Sequence, residues 1–131
     1  MKKEYKKIIK SYEKEFKVKV KTINFLNWKG VHLAFFPNTL FISKTMTKTN
    51  PLAFEFTLLH ELYHALTVRT IGFKNILRFF GFWSITKEER NATKFALKEI
   101  KKRHPKLTYE KLESAMGSAW LSFLIKYRRD Y

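Results

Sequence analysis

Phe54-Glu55-Phe56-Thr57-Leu58-Leu59-His60-Glu61-Leu62-Tyr63-His64-Ala65-Leu66 reads as one buried helix. His60 and His64 are flanked by Leu58, Leu59, Leu62, Ala65 and Leu66, so they sit on an apolar helix and not in a polar loop. Residues four apart share a helix face. Both imidazoles can therefore ligate one metal ion, and Glu61 between them can reach a water on that metal. This is the mechanical content of the HExxH motif of zinc hydrolases. The chain has only 4 histidines, and two of them fall at this spacing. A polar triad on a buried helix is costly unless its groups are paired or bound to metal. The plainer alternative is a helix whose histidines hydrogen-bond to polar neighbours.

The surroundings of this helix suggest how it is framed. Asn50-Pro51 is a helix start, with a capping residue followed by proline at the first helical position, and the helix is expected to run to about Arg69. Upstream, Lys3 to Phe16 places Tyr5, Ile8, Ile9, Tyr12 and Phe16 on one helical face. Lys17 to Phe25 alternates, as a half-buried strand does. Val31 to Phe36 and Leu40 to Ser43 read as two further strands, separated by turns at Asn27-Trp28-Lys29-Gly30 and Pro37-Asn38-Thr39. These short connections predict a small antiparallel sheet of three strands.

Downstream, Gly72 is expected to break the motif helix, and Phe73 to Phe80 can form a short amphipathic helix ended by Gly81. Ser84 or Thr86 then caps a long helix to about Arg103, and His104-Pro105 terminates it. Thr108 caps a last helix to about Tyr127. The fold class expected is α+β, a three-stranded antiparallel sheet with about five helices around a minimal HExxH zincin-like core. The chain has 131 residues without repeats, low-complexity segments or linkers, which suits one domain over residues 1–131.

Composition narrows the chemistry. Hydrophobic residues make up 45% and aromatic residues 17%, enough for a core. There is no cysteine, so disulfides and thiolate chemistry are excluded, and any metal must be held by histidine and carboxylate. The net charge is +16, which attracts nucleic acid, anionic membranes or acidic partners, although lysines can also simply solvate the surface. Basic residues lie at both ends of the chain, and no single basic stripe or recognition-helix signature stands out. Met1 to Lys10 is basic but lacks an apolar core and a small-residue cleavage site, so no secretory leader is expected. Ile71 to Trp83 is the longest apolar-rich stretch, too short to span a bilayer and interrupted by Lys74 and Arg78. The expectation is a soluble, cytoplasmic protein without a transmembrane segment.

A catalytic zinc site usually has three protein ligands and a water. The three-histidine extension of the motif needs Gly and His where this chain has Thr67 and Thr70, so it is excluded. The next helix offers Glu88 and Glu89, and helical phase against Ala92, Phe95 and Ala96 does not separate them. His32 and His104 have no companions at ligand spacing and read as structural or exposed.

Leu58 to Leu66, followed by Glu89-Arg90-Asn91-Ala92-Thr93-Lys94-Phe95-Ala96, resembles the ImmA/IrrE family of metallopeptidases. That family pairs an HExxH helix with a later helix reading roughly E-x-x-A-N-x-F-A, and the match covers about Pro51 to Ile100. The resemblance implies that Glu89 is the third zinc ligand beside His60 and His64. Thr93 stands where the family commonly has Asn or Asp, one turn after Glu89, as an outer partner of the site. Tyr63 stands where the family commonly has a small residue.

The activity implied is that of a zinc-dependent endopeptidase. Glu61 would deprotonate the attacking water and reprotonate the leaving amine. Substrates of this kind are repressor or regulator proteins. The alternative is a non-cleaving binding module on the same fold, which binds a regulator protein or contacts nucleic acid through its basic surface. The Ile71 to Trp83 segment links the two ligand-bearing helices. Phe79, Phe82 and their apolar neighbours there suggest a substrate- or partner-binding wall.

Overall fold

A computed structural model of the chain describes residues 2–23, 30–32, 38–48, 50–71 and 84–116. Helix α1 spans Lys3–Phe16 and is followed by strand β1, Lys19–Ile23. Strand β2, Gly30–His32, and strand β3, Thr39–Ser43, come next, and a 3-10 turn covers Lys44–Lys48. Helix α2 runs Pro51–Ile71, α3 runs Ser84–Arg103 and α4 runs Tyr109–Met116.

Helix α2 is the centre of the molecule. Every residue from Ala53 to Leu62 is buried, polar ones included. A helix apolar on all sides can be stable only with neighbours around it, and α1, α3, α4 and the sheet all pack on it. Its start is built as the sequence predicts. Asn50 Oδ1 accepts the Leu52 amide at 2.9 Å, and Pro51, which has no amide hydrogen to satisfy, opens the helix. Thr108 does the same for α4, its hydroxyl accepting the Lys111 amide at 3.3 Å.

The core contains Tyr5, Ile9 and Tyr12 of α1, Leu40 and Ile42 of β3, and Phe54, Phe56, Leu58, Leu59 and Leu62 of α2. Ala96, Leu97 and Ile100 of α3 and Leu112 of α4 close it. Tyr5 meets Phe54 edge-on at 5.1 Å between ring centroids. Each of these large side chains is worth about 1.5–3 kcal/mol when taken out of water.

The sheet corrects the sequence reading. The expected α+β arrangement of a three-stranded antiparallel sheet with about five helices is not what forms. The described chain is mostly helical, with four α-helices, and β1 pairs β3 in parallel, Lys19 opposite Thr39 through Ile23 opposite Ser43. Strand β2 lies antiparallel on the other edge of β3, giving the order β1-β3-β2.

The reason lies in the strands themselves. Leu40 and Ile42 are fully buried, so β3 takes the middle of the sheet. Lys19 and Lys21 of β1 are exposed, and an edge position keeps them in water. The residues 24–38 between β1 and β3 are enough chain to bring β3 back in the same direction. Short connections favour hairpins, but sequential strands pair only about two-thirds of the time.

The turn from α1 into β1 is held from α2. Lys17 takes a left-handed conformation, φ 55°, that a residue with a Cβ adopts reluctantly. Arg69 donates to the carbonyls of Phe16 and Lys17, both at 2.7 Å, and to Asn38 Oδ1 at 2.8 Å. One guanidinium thus fixes the end of α1 and the approach to β3. The expected Phe73 to Phe80 helix and the continuation of the last helix towards Tyr127 lie outside the described residues. No described helix is long and apolar enough to cross a membrane.

Candidate metal centre

His60 and His64 project from one face of α2 towards α3, their ring centroids 5.2 Å apart. Glu89, on the second turn of α3, meets both. Its Oε2 lies 2.9 Å from His60 Nε2 and its Oε1 lies 3.0 Å from His64 Nε2. One donor atom from each of His60, His64 and Glu89 falls within 4.8 Å of the others. Tetrahedral zinc with bonds of 2.0–2.1 Å needs donor separations of about 3.3 Å. Two imidazoles and a carboxylate are also one of the donor sets that catalytic zinc uses. The residues present fit the metal in number, chemistry and spacing.

The opposite edges of both rings are engaged as well. Glu88 Oε1 lies 3.3 Å from His64 Nδ1. Thr93 donates its hydroxyl to the Glu89 carbonyl at 3.0 Å and stands 3.5 Å from His60 Nδ1. On both histidines the Nδ1 side faces a neighbour on α3, and Nε2 faces Glu89. Ligand histidines in metalloproteins are typically held this way.

His60 is 4% exposed and Glu61 7%, while the Glu89 side chain is 54% exposed, so the cluster opens to solvent on the Glu89 side. Burial alone pulls the His64 pKa down, but hydrogen bonds with Glu88 and Glu89 and the charge of Glu61 outweigh it and push it up to about 10. Hydrogen bonds from His60 and His64 hold the Glu89 carboxyl well below the usual carboxylate range, against the opposing effect of burial.

His60, His64 and Glu89 come together, and Glu61 is buried on the same helix with its charge felt at His64. Glu88, open as a ligand from helical phase alone, sits across the His64 ring from the donor cluster. Tyr63 packs its ring on Phe95, 5.5 Å away, and is a wall residue of α2 against α3. His104 pairs with Glu55 at 2.9 Å, away from the cluster. His32 lies in β2. Ile71 closes α2, and the rest of the proposed wall, including Phe79 and Phe82, lies outside the described residues.

Two features escaped the sequence reading. One is the position of Glu88 on His64 Nδ1, which was signalled only by the adjacency of two glutamates. The other is a basic face on α3. Lys87, Arg90, Lys94, Lys98, Lys101 and Lys102 are all exposed. At 100° per residue they fall within roughly 120° of arc. Their three- and four-residue spacing was visible in the sequence. The acidic residues of the helix, Glu88, Glu89 and Glu99, lie off that face. The chain matches no family model, and it matches neither any curated protein nor any solved structure.

Proposed function

We propose that this protein is a zinc-dependent endopeptidase, with His60, His64 and Glu89 as the metal ligands and Glu61 as the general base. The observation that carries the reading is that the Nε2 atoms of His60 and His64 both meet the Glu89 carboxylate, with the buried Glu61 on the same helix as the histidines. The likeness of the motif helix and the Glu89 helix to the ImmA/IrrE pattern supports it. Bound zinc would supply a Lewis acid that acidifies a water and polarises a peptide carbonyl. Glu61 takes the proton of the attacking water and returns it to the leaving amine. Low exposure of His60 and Glu61 keeps bulk water from competing for that proton. The open side at Glu89 is where a peptide enters. On the strength of the resemblance, the substrate is a repressor or regulator protein met in the cytoplasm.

A second reading is favoured by one observation, the basic face of α3. In that reading the same fold binds a regulator protein or nucleic acid without cutting it. Glu61→Gln separates the two. Incubated with zinc and a candidate regulator, wild type should give discrete fragments by mass spectrometry, and Glu61→Gln should give none while keeping its zinc. Equal function of the two proteins in the cell would mean binding without cleavage.

A further inference from the structure

Glu88 has no part in the chemistry above, yet it is among the most deeply placed charged residues described, only 2% exposed. Its Oε1 lies 3.3 Å from His64 Nδ1. Its Oε2 has no hydrogen-bond partner among the described residues. A carboxylate withdrawn from water in this state is costly unless something nearby compensates its charge. What it faces is the His64 ring. Glu89 Oε1 faces the same ring from the other edge, 3.0 Å from Nε2. Two successive carboxylates of α3 therefore take the two nitrogens of one imidazole, Glu88 from the buried side and Glu89 from the open side.

We propose that Glu88 is a positioning residue of the metal centre, accepting the Nδ1–H of His64 so that the Nε2 lone pair is aimed at the metal. This rests on the zinc reading given above. An imidazole free to turn about its χ2 bond presents either nitrogen. A carboxylate fixed on Nδ1 leaves one tautomer and one ring orientation, and it makes the coordinating nitrogen more basic. Glu88 is well suited because its own place is set by burial, with Ala92 of the next turn fully buried beside it. It does not serve as the ligand, because its carboxylate stands across the ring from the point where His60, His64 and Glu89 meet.

The test compares wild type, Glu88→Gln, Glu88→Leu and Glu89→Ala. Zinc affinity is measured by competition with a chromophoric chelator. The His64 Nδ1–H is observed by long-range ¹H–¹⁵N NMR of the zinc-loaded proteins. Glu88→Leu should weaken zinc about 10–100-fold, still reach full occupancy at saturating zinc, and lose the slowly exchanging Nδ1–H signal. Glu88→Gln keeps an acceptor oxygen, so it should hold that signal and lose less than about tenfold in affinity.

Wild-type affinity with an unchanged Nδ1–H signal in Glu88→Leu would reduce Glu88 to packing and overturn the proposal. Loss of all zinc binding, as in Glu89→Ala, would make Glu88 a ligand and overturn it equally. Should Glu88→Leu fail to fold, Glu88→Gln decides, since loss of its Nδ1–H signal contradicts the proposal. Absence of zinc binding in wild type itself defeats the metal reading, and it is seen before any Glu88 variant is made.

Discussion

At His64 three acidic side chains act on one imidazole. Glu88 and Glu89 take its two nitrogens, Glu61 adds charge from the same helix, and together they push its pKa from the ordinary imidazole value of 6.5 up to about 10. The folded protein binds this proton more tightly than the unfolded chain does. In metal-free protein the His64 contribution to stability is fully present below pH 6.5 and is lost as pH rises through about 10. Zinc must displace the same proton to reach Nε2. Zinc affinity should therefore rise with pH across that window, and binding at neutral pH should release about one proton from this ring. Calorimetry in two buffers of different ionisation enthalpy counts that proton. Affinity independent of pH between neutrality and the upper end of the window would show that His64 is already neutral in the metal-free protein.

Among the elements, α2 and α3 carry the candidate metal centre, and they differ in how much of it is legible in the sequence. The start of α2, its burial and the facing of His60 and His64 follow from Asn50-Pro51, the run of leucines and the four-residue spacing, all local signals. Helix α3 is legible as a helix, but which of Glu88 and Glu89 faces both Nε2 atoms depends on how α3 rotates against α2, and adjacent helical positions differ by about 100°. The sheet misled for a related reason. Pairing between β1 and β3 depends on the burial of Leu40 and Ile42 against the whole molecule, whereas turn residues report only local chain reversal.

The outer face of α3 concentrates positive charge on one helix, as a polyanion-binding surface would. Lys94→Glu, Lys98→Glu and Lys102→Glu combined should weaken duplex DNA binding far more than Lys3→Glu, Lys6→Glu and Lys10→Glu on α1, which are exposed too. The slope of affinity against salt should fall by about 2–3 for the α3 variant. Equal losses from both variants would mean that the +16 charge acts only as a diffuse field.

Across the described molecule, polar clusters tie the helices around α2, and two of them, beside Arg69's hold on the end of α1, are built on buried charge. One is the His60–His64–Glu89 cluster, the candidate metal centre, which joins α2 to α3. The other is formed by Tyr12, which donates to Glu55 Oε1 at 2.7 Å, and by His104, which bonds Glu55 Oε2 at 2.9 Å. It joins α1, α2 and the end of α3. Arg103 reinforces it, lying 4.6 Å over the Tyr12 ring and 2.9 Å from Glu15. Burial first, then the charge of Glu55, raises the Tyr12 pKa well above its ordinary value, so Tyr12 stays a hydrogen-bond donor. Tyr12→Phe leaves one oxygen of a buried carboxylate without its partner. It should cost about 1–3 kcal/mol in denaturant unfolding with zinc content unchanged. A loss of zinc in that variant would show that the two clusters are coupled.

Both the proposed chemistry and the place of Glu88 require that His60, His64 and Glu89 together hold one metal ion. Elemental analysis of the purified protein tests it most directly, set beside His64→Ala, Glu89→Ala and Glu61→Gln. The arrangement predicts about one zinc per chain in wild type and in Glu61→Gln, and little or none in His64→Ala and Glu89→Ala. Full zinc in Glu89→Ala, or no metal in wild type after purification and zinc repletion, would contradict it.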